Sequence, residues 1–216
     1  MASAPLRGPV LFDLDGTLID SIELILKSAQ FAFTKCGLEC PTDEQWLEGV
    51  GRPLPVMFAH FAPGREPDLI EAYREFQMAN HDELVTVYPG VPEMLDELAA
   101  GGHRMGIVTS KASPLAIRGL KHTGIDHHFE TVIGMDLCKR HKPDPEPVMI
   151  ALERLASRPK GAWFVGDSVH DMESGNAAGV ATVGALWGPF NEQDLAPSRP
   201  QFLAVSPGDV VKLVNS

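Results

Sequence analysis

The sequence predicts an α/β protein: a parallel sheet wrapped by helices, interrupted near its start by an all-helical insert. Apolar runs of strand length recur along the 216 residues. They are apolar continuously and not in alternation, as in strands buried on both faces. An interval of about ninety residues, mostly with helical spacing, separates the first run from the second, where a crossover needs only about a dozen.

The first strand is read at Pro9-Val10-Leu11-Phe12. Asp20 or Ser21 is placed to cap a helix bearing Ile22, Ile25, Leu26, Ala29, Ala32 and Phe33 at i, i+3, i+4 spacing. Further helices are expected over 42–50, 53–61 and 66–84, broken at Gly51-Arg52-Pro53 and Ala62-Pro63-Gly64. These segments make an insert over 20–86 and split the sheet domain into 1–19 and 87–216. Strands follow at Met105–Val108, Thr131–Ile133, Ala162–Val165 and Ala181–Val183, with helical spacing between them such as Val148, Ile150, Ala151 and Leu155. The Pro-rich stretch 188–206 reads as loop leading to a last short strand and helix. The connections near Leu18-Ile19-Asp20 and Val87-Tyr88-Pro89-Gly90 are placed to act as hinges.

A hydrophobic content of 44% suffices for a full core. The net charge of −11 opposes nucleic acid and anionic lipid, so neither is an expected partner. An anionic substrate must then meet a local positive feature. Cys36, Cys40 and Cys138 are an odd set with no C-x-x-C pair, which fits reduced thiols and a cytoplasmic location. No run approaches the ~18 apolar residues of a membrane span. A monomer or weak homodimer is expected.

Asp13 and Asp15 stand two apart at a strand end and share a face, and Gly16 then permits a sharp turn. Two carboxylates at about 4 Å repel by roughly 1–4 kcal/mol, which invites a cation or a shared proton. Gly166-Asp167-Ser168-Val169-His170-Asp171 brings two more acids to another strand end. Four acids in one cleft call for a hard divalent cation, and Mg²⁺ fits because it takes oxygen ligands and keeps sites open for water and phosphate. Lys142, within Arg140-His141-Lys142-Pro143-Asp144-Pro145-Glu146-Pro147, is the expected counter-charge, delivered from an extended loop stiffened by prolines. Thr109-Ser110-Lys111 offers hydroxyls and backbone N–H groups that suit a phosphate. With Gly134-Met135-Asp136, these clusters should converge at the carboxyl ends of the strands.

In order and spacing, Asp13-Leu14-Asp15-Gly16-Thr17, Val108-Thr109-Ser110, Lys142-Pro143 and Gly166-Asp167-Ser168 with Asp171 resemble the haloacid dehalogenase superfamily of phosphatases. The resemblance covers essentially the whole chain. It implies a Rossmann-like core over 1–19 and 87–216 and a helical cap over 20–86. It also implies hydrolysis through an aspartyl-phosphate. Asp13 would attack phosphorus, and Asp15 would protonate the leaving oxygen and then activate water. Thr109 and Lys142 would hold the phosphoryl oxygens, and Thr17, Ser110, Lys111 and Arg52 would bind the substrate. Asp13, the backbone carbonyl of Asp15, and Asp167 would hold Mg²⁺, with Asp171 steadying the metal's waters.

Asp15 argues against the metal-free dehalogenases of the superfamily, and Ser21–Ile25 lacks the early cap histidine of its sugar phosphate mutases. The expected activity is a Mg²⁺-dependent phosphatase acting on a small phosphorylated metabolite of the phosphoglycolate type. The alternative is inorganic pyrophosphate, because Asn80–Val85, Gly119-Leu120-Lys121 and His141–Pro147 resemble the pyrophosphatase branch. His81 reads as a packing residue. His122, His127 and His128 suggest a metal cluster by composition, but their place in a helix-to-strand loop with no thiol nearby reads against one.

Overall fold

The structure, a computed structural model, describes residues 7–216. Six strands form one parallel sheet: β1 (Val10–Phe12), β4 (Met105–Val108), β5 (Thr131–Ile133), β6 (Trp163–Gly166), β7 (Ala181–Ala185) and β8 (Phe202–Ala204), in the order β5-β4-β1-β6-β7-β8. β1 is central, pairing Val10 with both Met105 and Trp163. Successive side chains point to opposite faces. Val10 and Phe12 therefore join the cluster under α5 (Val91–Ala100), α6 (Ser113–His122) and α10 (Pro207–Asn215). Leu11 joins the cluster under α7 (Glu146–Arg154) and α8 (Val169–Ala178). Two covered faces explain why the strands read as unbroken apolar runs.

From β1 the chain goes outward to β4 and β5 on one side and to β6, β7 and β8 on the other. That reversal opens a crevice at the carboxyl ends of β1, β4 and β6. Over it lie α1 (Ile22–Lys35), α2 (Asp43–Leu47), α3 (Leu54–Phe61) and α4 (Glu66–Leu84). These helices have an apolar cluster of their own. At its centre Phe33, Trp46, Phe58 and Tyr73 pack as tilted and edge-on rings, with Trp46 and Phe58 centroids 5.1 Å apart. The chain enters and leaves this layer through a two-stranded antiparallel ribbon, β2 (Ile19–Asp20) with β3 (Thr86–Val87).

Several local expectations change. The segment 42–50 is helical only over Asp43–Leu47, started by a capping box between Thr42 and Gln45. Ser21 stands at the start of α1 without capping it. Its hydroxyl bonds Asp15 instead, and Asp20 accepts from the Ile22 N–H. The stretch read as loop over 188–206 contains a short helix, α9 (Glu192–Leu195), and all of β8. The segment around Lys142 is a turn and not extended, because the Asp144 N–H bonds back to the His141 carbonyl. Asp136 leaves the crevice: its carboxylate accepts from the Ser113 N–H at 2.6 Å, at the start of α6.

Candidate active site

β1 delivers Asp13 to the crevice floor, and Leu14 turns into the core. Gly16 has φ +84°, and a Cβ on it would stand 2.4 Å from an Asp167 carboxylate oxygen. Only glycine lets the loops after β1 and β6 meet here. Thr17 is fully buried beside them; its hydroxyl donates to Asp167 at 2.7 Å, and its carbonyl accepts from the Trp187 indole at 2.8 Å. Thr17 thus orients a carboxylate and does not line the cavity below.

At the end of β6, Ser168 and Asp171 form a capping box that opens α8. One Asp171 oxygen accepts from the Ser168 N–H and hydroxyl, and the other accepts from Lys142 at 2.6 Å. Both oxygens are engaged, so Asp171 positions the lysine. Lys142 Nζ also lies 2.9 Å from Asp13 Oδ1, so the one ammonium forms an ion pair with both carboxylates.

Asp13, Asp167 and Asp171 each bring a carboxylate oxygen within 4.8 Å of the others, all buried. Burial, and then the charge of Asp171, push the Asp13 carboxyl up to about 7. Burial and the same neighbour hold Asp167 well above the usual carboxylate range. Burial alone would lower Lys142, but Asp13 and Asp171 outweigh it and hold the ammonium above the ordinary lysine value. Three buried carboxylates gathered this closely, two of them reluctant to ionise, fit a hard cation taking oxygen ligands.

The other acid of the pair has partners of its own. Asp15 Oδ1 accepts from the Ser21 hydroxyl at 2.5 Å and from Lys111 Nζ at 2.6 Å. The Lys111 N–H in turn bonds Thr109 Oγ1. Ser110 crosses to the helical layer, donating to the Gly51 carbonyl at 2.5 Å, and Arg52 Nε lies 3.1 Å from His170 Nε2. Between the layers is a cavity of about 110 Å³. Asp13, Asp15, Thr109 and Lys111 line it from the sheet side, and Arg52, Trp46, Met57, Tyr73, Arg74 and Gln77 from the helices.

A family profile described as haloacid dehalogenase-like hydrolase matches residues 10–185. The chain belongs to the haloacid dehalogenase-like hydrolase family. It is 41% identical over 209 residues to the pyrophosphatase PpaX of Bacillus velezensis, covering 95% of each chain. It is 39% identical to the PpaX of Bacillus pumilus over 207 residues, 96% of each. Among solved structures, a predicted phosphoglycolate phosphatase from Haemophilus somnus aligns with TM-score 0.85 and 26% identity over 98% of this chain and 99% of that one. A predicted phosphatase from Clostridium acetobutylicum aligns with TM-score 0.88 and 25% identity over 97% and 99%.

Four residues of this haloacid dehalogenase-like hydrolase escaped the reading of its sequence: Ser21, Tyr73, Arg74 and Gln77. The last three had a signal, since Tyr73, Arg74 and Gln77 fall at i, i+1, i+4 and put polar groups beside the buried stripe of α4. Ser21 had none beyond its place at a helix start. No helix among the described residues is long and apolar enough to cross a membrane.

Proposed function

We propose that this phosphate-hydrolysing enzyme splits inorganic pyrophosphate in a Mg²⁺-dependent reaction through an aspartyl-phosphate on Asp13. The observation that carries the reading is the buried Asp13 carboxylate, ion-paired with Lys142 at the floor of a cavity whose walls also present Lys111, Arg52 and Arg74. A chain of net charge −11 that gathers cations around one buried carboxylate is arranged for an anion with charge at both ends. About 110 Å³ falls below the roughly 300–1,000 Å³ of ordinary ligand pockets, so the substrate is small. The relatives named pyrophosphatase match over nearly the whole chain, cap included.

Asp13 attacks phosphorus, the bridging P–O bond breaks, and the leaving phosphate departs with a proton from Asp15. Asp15 next takes a proton from water. That water's oxygen attacks the phosphorus, the bond to Asp13 breaks, and a second phosphate is released. Lys142, Thr109 and Lys111 hold the oxygens of the group in transit. Asp13, the Asp15 carbonyl and Asp167 would hold Mg²⁺, and the ion would offset charge on the transferring phosphoryl and favour the ionised form of Asp13.

A second reading has its own observation. Ile25, Trp46 and Met57 give part of the cavity wall an apolar character better suited to carbon than to bare pyrophosphate, as in phosphoglycolate. Side-by-side kcat/KM on the two substrates with Mg²⁺ decides. A preference for phosphoglycolate overturns the pyrophosphate reading, and loss of neither activity in Asp13→Asn overturns both.

A further inference from the structure

The turn between α6 and β5 carries Asp126–His128 as a single turn of 3-10 helix packed against α5. There one donor atom from each of Asp96, His127 and His128 lies within 4.8 Å of the others. The two imidazole rings are 4.1 Å apart between centroids, inclined by 37°. His128 Nε2 stands 3.6 Å from Asp96 Oδ1, an approach too long for a hydrogen bond. The His128 side chain is 7% exposed and sits edge-on to Phe129, whereas that of Asp96 is 76% exposed. His127 is exposed as well. One donor is anchored and two are free to swing.

None of the three lines the hydrolytic cavity. They precede β5, at the end of the sheet opposite the strand termini that carry Asp13 and Asp167.

The geometry points to a second cation site, for a first-row transition metal of the Zn²⁺ type, held by Asp96, His127 and His128 and completed by water. Two imidazole nitrogens and one carboxylate oxygen are a donor set for Zn²⁺ and its neighbours, whereas Mg²⁺ takes oxygen. Ligands about 2.0–2.1 Å from a tetrahedral ion lie about 3.3 Å from one another. The present spacing must therefore tighten by on the order of 1 Å, within reach of rotamer changes at the two exposed side chains. A bound ion ties α5 to the turn before β5 and stabilises the fold by linkage.

The test is Zn²⁺ titration of the full chain with Mg²⁺ in excess, read by competition with a chromophoric chelator and by thermal melting. One equivalent should bind and raise the melting temperature. His127→Ala and Asp96→Asn, both at exposed positions, should keep the metal-free melting temperature and the Mg²⁺-supported activity. Each should weaken Zn²⁺ binding by at least roughly 10–100-fold, and Co²⁺ in place of Zn²⁺ should give a visible absorption band that both variants lose. Absence of Zn²⁺ binding, or binding undiminished in the double variant, overturns the proposal. So does binding that survives there and disappears with Asp167→Asn, which assigns the ion to the hydrolytic site.

Discussion

Lys111 Nζ holds Asp15 Oδ1 at 2.6 Å across the gap between the loops after β4 and β1, and both side chains line the cavity. An anion entering the cavity competes with Asp15 for that ammonium. In the proposed reaction, substrate binding would then free Asp15 to turn toward the leaving oxygen. Lys111→Met should lower kcat/KM by about 10–100-fold, the worth of a charged hydrogen bond of about 1.5–3 kcal/mol. An unchanged kcat/KM would remove Lys111 from the mechanism.

The acid cluster makes the metal-free protein sensitive to pH. Asp13 holds its proton up to about 7 in the folded state, against 3.8 as a free carboxyl. Between those values the folded state binds a proton at Asp13 that the unfolded chain has released, so the contribution of this group to stability falls as pH rises and is lost above about 7. Asp13 alone costs at most about 1.4 kcal/mol for each pH unit in that window, and the raised Asp167 adds to the decline. Urea melts with a chelator present should show the decline, added Mg²⁺ should reduce it, and Asp13→Asn should lessen it while abolishing turnover.

Lys142 is the only cation that touches Asp13 and Asp171 among the described residues. Lys142→Met would leave those buried carboxylates uncompensated, a loss of about 3–5 kcal/mol at pH 8. The penalty should shrink toward pH 5, where Asp13 is protonated. Chemical denaturation at the two pH values checks the difference; equal losses would mean that the lysine acts by packing alone.

Polar contacts between the helical layer and the sheet domain include Ser110 to the Gly51 carbonyl, Arg52 to His170, and Arg118 to the Met78 carbonyl and Asp82. The first two flank the cavity and must break for the ribbon of β2 and β3 to hinge open. Arg52→Ala should raise KM more than it lowers kcat. Small-angle scattering should show a larger radius of gyration for the Ser110→Ala/Arg52→Ala pair than for the parent chain, and superimposable profiles would argue against a moving cap.

The sheet and the helices of the insert were legible because burial leaves a periodic imprint. Val10–Phe12 is apolar at every position since helices cover both its faces, and α1 repeats its apolar residues at helical spacing since one side alone meets Phe58 and Tyr73. β8 was legible as a last short strand but not in its place: three residues at the sheet's edge, with Phe202 exposed, are too short and too wet for their bounds to stand out from the loop before them. Asp136 misled for another reason, because a carboxylate at a strand end looks alike whether it faces a ligand or caps the next helix.

By itself the sequence determined the parallel sheet, the helical layer in its first connection, and the acids and lysine brought to the strand ends, because these follow from periodicity and chain order. Tertiary structure alone decided which partner each acid meets. Asp13 went to Lys142 and Asp15 to Lys111 and Ser21, Thr17 became a support for Asp167, and Asp96 joined His127 and His128 from a distant helix. Contacts between segments far apart in the chain depend on how packed layers set side-chain directions, and no local pattern in the sequence records them.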